Sequence, residues 1–117
     1  MRVMSSSDRD PQLLLPLTPA LFHVLLALVD GEKHGYAILK DVAQRTGGQV
    51  QLGTGTLYGI VKRLLADGLI RESAAGSTDR RRAYRLTAFG RKVALAEAER
   101  LRDLVNLAPL QRLLSEG

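Results

Sequence analysis

The chain has 117 residues, 45% of them hydrophobic, a net charge of +5 and a pI near 10.1. That is enough for one modest core and too little for a second, and the charge favours a polyanionic partner while leaving ribosomal, RNA-binding and peripheral membrane proteins in play. With no cysteine, disulfide frameworks and thiolate metal sites are excluded, and a reducing cytoplasm is the default compartment.

Residues 1–17 read as a flexible N-terminal arm, because Ser, Asp and Arg dominate its first dozen positions without hydrophobic periodicity. Asp8, Asp10 and two prolines break any signal-peptide pattern, and the Leu13-Leu14-Leu15 run is too short to cross a bilayer, so a soluble protein is expected. Leu13 to Leu17 are candidates to dock on a partner surface. Thr18-Pro19 starts a first helix, since the threonine oxygen can accept an orphan amide and proline at the first helical position loses no hydrogen bond. Leu21, Val24, Leu25 and Leu28 form its apolar stripe, and Asp30-Gly31 ends it.

His34-Gly35-Tyr36 opens a second helix with Ile38, Leu39 and Val42 inward and Lys40, Asp41, Gln44 and Arg45 toward water. Gly47-Gly48 stops it. Gln49 to Leu52 reads as a brief strand or a plain connector. A third helix runs from Gly53 or Thr54 to Asp67-Gly68, with Leu57, Ile60, Val61, Leu64 and Leu65 on its core face. Leu69 to Ser73 and Arg81 to Leu86 are predicted strands joined through the turn formers of Ala74 to Asp79, which makes a wing. Thr87 caps a long helix on which Ala94, Ala98, Leu101, Val105 and Ala108 recur at alternating steps of four and three, the spacing of a helix–helix seam. Pro109 interrupts it, and Leu110, Leu113 and Leu114 supply one more apolar turn. The expected architecture is mainly α (α+β): a winged helix-turn-helix over 18–87 and a C-terminal dimerisation helix with a short tail over 88–117.

The outward face of the third helix combines hydroxyls, a ring, cations and little bulk, which suits insertion into a DNA groove. Taken alone, a Thr/Lys face is more simply a solvated surface. The arginine hairpin directly after it turns the reading toward nucleic acid, because the tip cations can meet phosphates. The candidate DNA contacts are Tyr36, Thr54, Thr56, Tyr58, Lys62, Arg63, Arg80, Arg81 and Arg82. Tyr36 has two readings, a backbone contact or packing beneath the wing. Gly59 costs on the order of 0.5–1 kcal/mol inside an exposed helix, offset by close approach to DNA or simply tolerated. Tyr84 and Leu86 are expected to pack. His23 and His34 have no second ligand at metal spacing, so no metal and no cofactor are expected. The sequence also lacks a paired-carboxylate cleft, a nucleophile with a spaced base and a phosphate-cradling motif, which argues against an enzyme.

These residues resemble the PadR family of bacterial transcriptional regulators across roughly Leu21 to Leu104. His34-Gly35-Tyr36 with Ile38 is similar to its HGY-x-I opening, and Gly55-Thr56-Leu57-Tyr58 to its GTLY segment. Arg63-Leu64 with Asp67-Gly68-Leu69-Ile70 is similar to its RL-x-x-x-GLI, and Arg81 and Tyr84-Arg85-Leu86-Thr87 with Gly90 to its basic wing and YxLTxxG exit. The resemblance implies a winged helix, a homodimer built by the C-terminal helix, and repression at a roughly palindromic operator. Thr56, Tyr58, Lys62 and Arg63 would be recognition-helix contacts and Arg80 to Arg82 wing contacts. The dimer interface is expected at Leu21, Leu25, Ala94, Ala98, Leu101, Val105 and Ala108. The chain departs from the family in carrying Gly59 where proline is frequent, and in its short C-terminal region. With no Trp and no aromatic after Phe89, a flat effector stacked between rings at the dimer interface is disfavoured. A small-molecule effector elsewhere stays open, and the alternative to DNA binding is a winged-helix module that grips an acidic protein.

Overall fold

The computed structural model of the chain describes residues 9–78 and 81–117; residues 1–8, the start of the expected arm, and residues 79 and 80, which belong to the expected wing, lie outside the described residues. The elements are α1 (Pro19–Ala27), β1 (Lys33–His34), α2 (Gly35–Arg45), α3 (Thr54–Ala66), β2 (Ile70–Ser73), β3 (Ala83–Leu86), α4 (Ala88–Val105) and α5 (Ala108–Glu116). Together they make a winged helix, with a three-stranded antiparallel sheet of order β1-β3-β2 against the helices.

Thr18 accepts a hydrogen bond from the Leu21 amide at 3.3 Å, and Pro19 sits in the first turn, so α1 begins where the capping chemistry favours it. Val24, Leu25 and Leu28 of its stripe, and Ala27 beside them, are fully or almost fully buried, alongside Ile38 and Val42 of α2 and Leu57, Val61 and Leu64 of α3. The connection from α2 to α3 contains no strand, contrary to one reading of Gln49 to Leu52. It is held instead by Thr46, whose hydroxyl donates to the Val42 carbonyl at 2.8 Å and accepts from the Val50 amide at 3.0 Å. The third strand lies elsewhere: Lys33 and His34 pair with Tyr84 and Ala83. Two residues are too few to carry a period-2 pattern, so this strand leaves no trace in the sequence.

One knot fixes the wing relative to α3. Gly68, at φ 74°, turns the chain after the helix, a left-handed conformation that glycine takes without a Cβ clash. The Thr87 hydroxyl then donates to the Gly68 carbonyl at 2.6 Å and accepts from the Gly90 amide at 2.9 Å, while the Thr87 amide donates to the Leu69 carbonyl. Gly90 packs so tightly that an added Cβ would lie 1.8 Å from the Leu69 carbonyl oxygen.

Two expectations change. Residues 9–17, assigned to the flexible arm, lie against the body as a strap, because the strap leucines find the core of their own chain. Asp10 caps a 3-10 turn at Pro11–Leu14, Leu14, Leu15 and Leu17 pack on the core, and the Leu17 amide donates to Glu97 at 3.0 Å. Arg9 donates to the Asp67 carbonyl and stacks 4.2 Å from the Phe89 ring centroid. Pro109 does not interrupt α4; the break falls at Asn106 and Leu107, and Pro109 stands in the first turn of α5, where proline is tolerated. Ala108 therefore belongs to α5 and drops out of the α4 seam. Among the described residues no helix is long and apolar enough to cross a membrane.

Candidate nucleic-acid interface

Leu57, Val61 and Leu64 anchor α3 in the core, and at 100° per residue this leaves a wide outer arc. Thr54, Gly55, Thr56, Tyr58, Gly59, Lys62 and Arg63 are all exposed on it. Leu65, expected inside, is 38% exposed because it falls on the Tyr58 side of the helix, past the edge of the core. Gly55 and Gly59 form the crest, and a Cβ added at either would meet nothing within 4 Å. The backbone can thus approach another surface closely there.

The crest separates two flanks that sequence spacing merges into one face. On the wing flank Tyr58 lines a small hollow with His34, Gly35, Tyr36, Arg81 and Arg82, gathering residues from α2, α3 and the wing. The Tyr58 hydroxyl rests against the start of α2, 3.3 Å from where a Gly35 Cβ would lie. His34 Nε2 is hydrogen-bonded to the Gly76 carbonyl at 2.8 Å, which ties α2 to the wing turn and engages that ring nitrogen. Tyr36 is 67% exposed, so it does not pack beneath the wing, and Lys40 Nζ lies 5.7 Å from its ring centroid. On the strap flank Thr56, Gly59, Ile60 and Arg63 face Leu14, Pro16, Leu17, Thr18 and Leu21.

The cations differ in freedom. Arg82 is 3.3 Å from Glu72, and Arg63 is 3.8 Å from Asp67, both pairs being well exposed and so held weakly. Lys62 has no ion pair among the described residues. The Ser73 and Ser77 hydroxyls accept from the Gly76 and Ala83 amides and shape the wing turn beneath Arg81 and Arg82. Tyr84 packs inward as expected, and burial, then the Glu72 charge, raises its pKa. Sequence spacing missed Arg71, which the register sets directly opposite Arg85, both exposed. Like charges so placed repel, and only strand register could have revealed the pair. Arg80 lies outside the described residues.

The expected interface residues divide. Leu25 is wholly buried and Leu21 is 8% exposed in the chain's own core, so the α1 stripe offers Leu25 no surface to a partner; core and interface stripes share one periodicity. Ala94, 6% exposed, edges an apolar groove between α1 and α4 with Leu26, Val29, Leu95 and Ala98. That groove continues past Phe22 and His23 to Leu101. Leu26 and Phe22, on the other side of α1, were not in the expected set. Val105 is 42% exposed on the last turn of α4.

Residues 24–96 match the model of the Transcriptional regulator PadR-like family. The chain is 41% identical over 81 residues to an uncharacterized 37.1 kDa protein in transposon TN4556 of Streptomyces fradiae, a match covering 69% of this chain and 22% of that protein. It thus spans about a fifth of the length of that curated relative. Among solved structures, a transcriptional regulator from Clostridium thermocellum is similar at 28% identity and a TM-score of 0.64, over 73% of this chain and 84% of that one. Bacillus subtilis PadR, solved in complex with operator DNA, shares the fold at 24% identity and a TM-score of 0.57, over 74% of this chain and 48% of that one.

Proposed function

The chain belongs to the PadR-like family of transcriptional regulators, and on that premise we propose that it is a homodimeric, sequence-specific DNA-binding repressor of the cytoplasm, open to control by a small molecule. The observation that carries this reading is the crest of α3: two glycines with open space above them, flanked by hydroxyls and cations and backed by the wing arginines. α3 enters the major groove with Thr54, Thr56, Tyr58 and Lys62 toward bases and phosphates. Arg63 and the wing cations Arg80, Arg81 and Arg82 hold the backbone, and Tyr36 meets it from the start of α2.

The second copy docks through the α1–α4 groove and the α4 residues Ala98, Leu101 and Val105, which sets the distance between two recognition helices and makes the operator roughly palindromic. A mobility shift on the DNA upstream of the gene tests the assignment. Lys62→Ala with Arg81→Ala should weaken binding and lower the slope of log affinity against log salt by about 2. An isotherm unchanged across salt overturns it.

A further inference from the structure

The dipeptide His34-Gly35 touches both α3 and the wing. The His34 ring reaches the wing turn, where its Nε2 lies 2.8 Å from the Gly76 carbonyl oxygen. A carbonyl oxygen only accepts, so Nε2 carries the hydrogen and donates it, which assigns the neutral ring to the Nε2–H tautomer. The next residue, Gly35, is buried, and the Tyr58 hydroxyl of α3 rests against it. Gly76 admits a close approach: the Glu32 carboxylate stands where a Cβ on that residue would strike it. From Gly76 the link runs on through the turn. The Ser77 hydroxyl accepts from the Ala83 amide at 3.0 Å, the Thr78 amide donates to the Arg81 carbonyl at 2.7 Å, and the Thr78 hydroxyl accepts from the Arg81 amide at 3.1 Å. Arg81 and Arg82 therefore follow a turn that the His34 ring fastens to the helical body. The β1–β3 ladder pairs His34 with Ala83 and Lys33 with Tyr84, so the turn lies beyond its end.

We propose that His34 is a positioning residue of the DNA-reading surface: its ring latches the wing turn at a fixed distance from α3, so that Arg81 and Arg82 stand ready where phosphates arrive. The proposal rests on the DNA-binding reading for its consequence, and His34 acts without touching DNA. A turn ordered before binding avoids the entropy cost of ordering it on the duplex. The exposed Arg82–Glu72 pair, 3.3 Å apart, is screened by water and holds only side chains, whereas the His34 bond is partly buried and holds backbone. Such a latch implies coupling: the contribution of His34 to binding vanishes once the wing has no cations to place.

The free full chain tests the latch first. A nitrogen NMR spectrum of its histidine rings should show neutral His34 as the Nε2–H tautomer, and a neutral Nδ1–H ring overturns the latch. His34→Ala should speed amide exchange at Gly76 and Thr78 and leave α3 as in wild type; unaltered exchange at the turn overturns it as well. Against the duplex upstream of the gene, His34→Ala should raise Kd about fivefold, the worth of one hydrogen bond, and lower the salt slope by about 1 as a wing cation leaves its phosphate. Added to Arg81→Ala with Arg82→Ala, it should change Kd less than about twofold. His34→Gln, whose amide can donate to the same carbonyl, should recover most of the lost affinity. An equal loss in both backgrounds with the salt slope unmoved overturns the positioning role. The amide spectrum reports folding, and His34→Asn, too short to reach the turn, is held to the same outcomes should alanine unfold the chain. A wild-type chain that fails to bind the duplex counts against the DNA-binding reading alone, since the ring spectrum and exchange judge the latch in free protein.

Discussion

The winged-helix body and the C-terminal arm carry similar apolar periodicity and opposite burial. In the body, Val24, Leu25, Ile38, Leu57, Leu64, Leu69 and Val93 are closed off from water; in the arm, Leu104, Val105, Leu107, Leu113 and Leu114 are between 42% and 67% exposed. α5 contributes no buried residue. The radius of gyration, 16.0 Å, exceeds the roughly 13 Å of a compact chain of this length. The body therefore buries most of its apolar stripe, while the arm leaves most of its own uncovered, and a helical stripe read from sequence cannot tell the two situations apart.

The contrast can be broken most severely at Gly90. Ala there would drive a Cβ into the Leu69 carbonyl, so Gly90→Ala should cost about 3 kcal/mol or more in urea unfolding. Glu97, 2% exposed, comes next, since it holds the strap amide of Leu17 and the Arg100 guanidinium. Glu97→Ala should destabilise by about 2 kcal/mol. The hydrogen bond from Arg100 lowers the Glu97 pKa against the opposing effect of burial. A depressed folded pKa stabilises above the unfolded value, about 4.3, and the gain is lost as pH falls through the folded value. The wild type should therefore lose this stability below about pH 4, and the variant should show a flatter acid limb in the same range.

Leu113→Asp with Leu114→Asp sharpens the contrast from the other side. Unfolding of dilute protein should change by less than about 0.5 kcal/mol, whereas sedimentation should show weakened self-association if the arm is covered by a second copy. Unchanged sedimentation would detach α5 from the dimer. The smallest effect is expected at Gly59, where open space makes alanine harmless to the fold. Gly59→Ala should raise stability by about 0.5–1 kcal/mol and yet weaken duplex binding, so a variant that is stabler and binds equally well would remove the crest from the interface.

Much of this was legible because its causes are local. Thr18-Pro19, Gly68 and Thr87 set element ends through capping and left-handed turns, and they stand where the sequence placed them. The misses required tertiary facts. Leu25 fits a core stripe and an interface stripe equally well, and only packing against α2 and α4 decides. β1 exists only because β3 lies beside it, and the strap is ordered by Glu97 and Phe89, some 80 residues away in the chain. Lys62, Tyr58 and Thr56 were correctly placed on the outer arc, but their division into wing and strap flanks depended on neighbours remote in sequence.

On the proposed function, DNA lies on α3 and the wing while the arm serves protein contact. Amide hydrogen exchange of the full chain with and without the upstream duplex tests it directly. Protection is expected across residues 54–63 and 81–86 and none at 108–116. Protection confined to the arm, with α3 exchanging as in free protein, would contradict it.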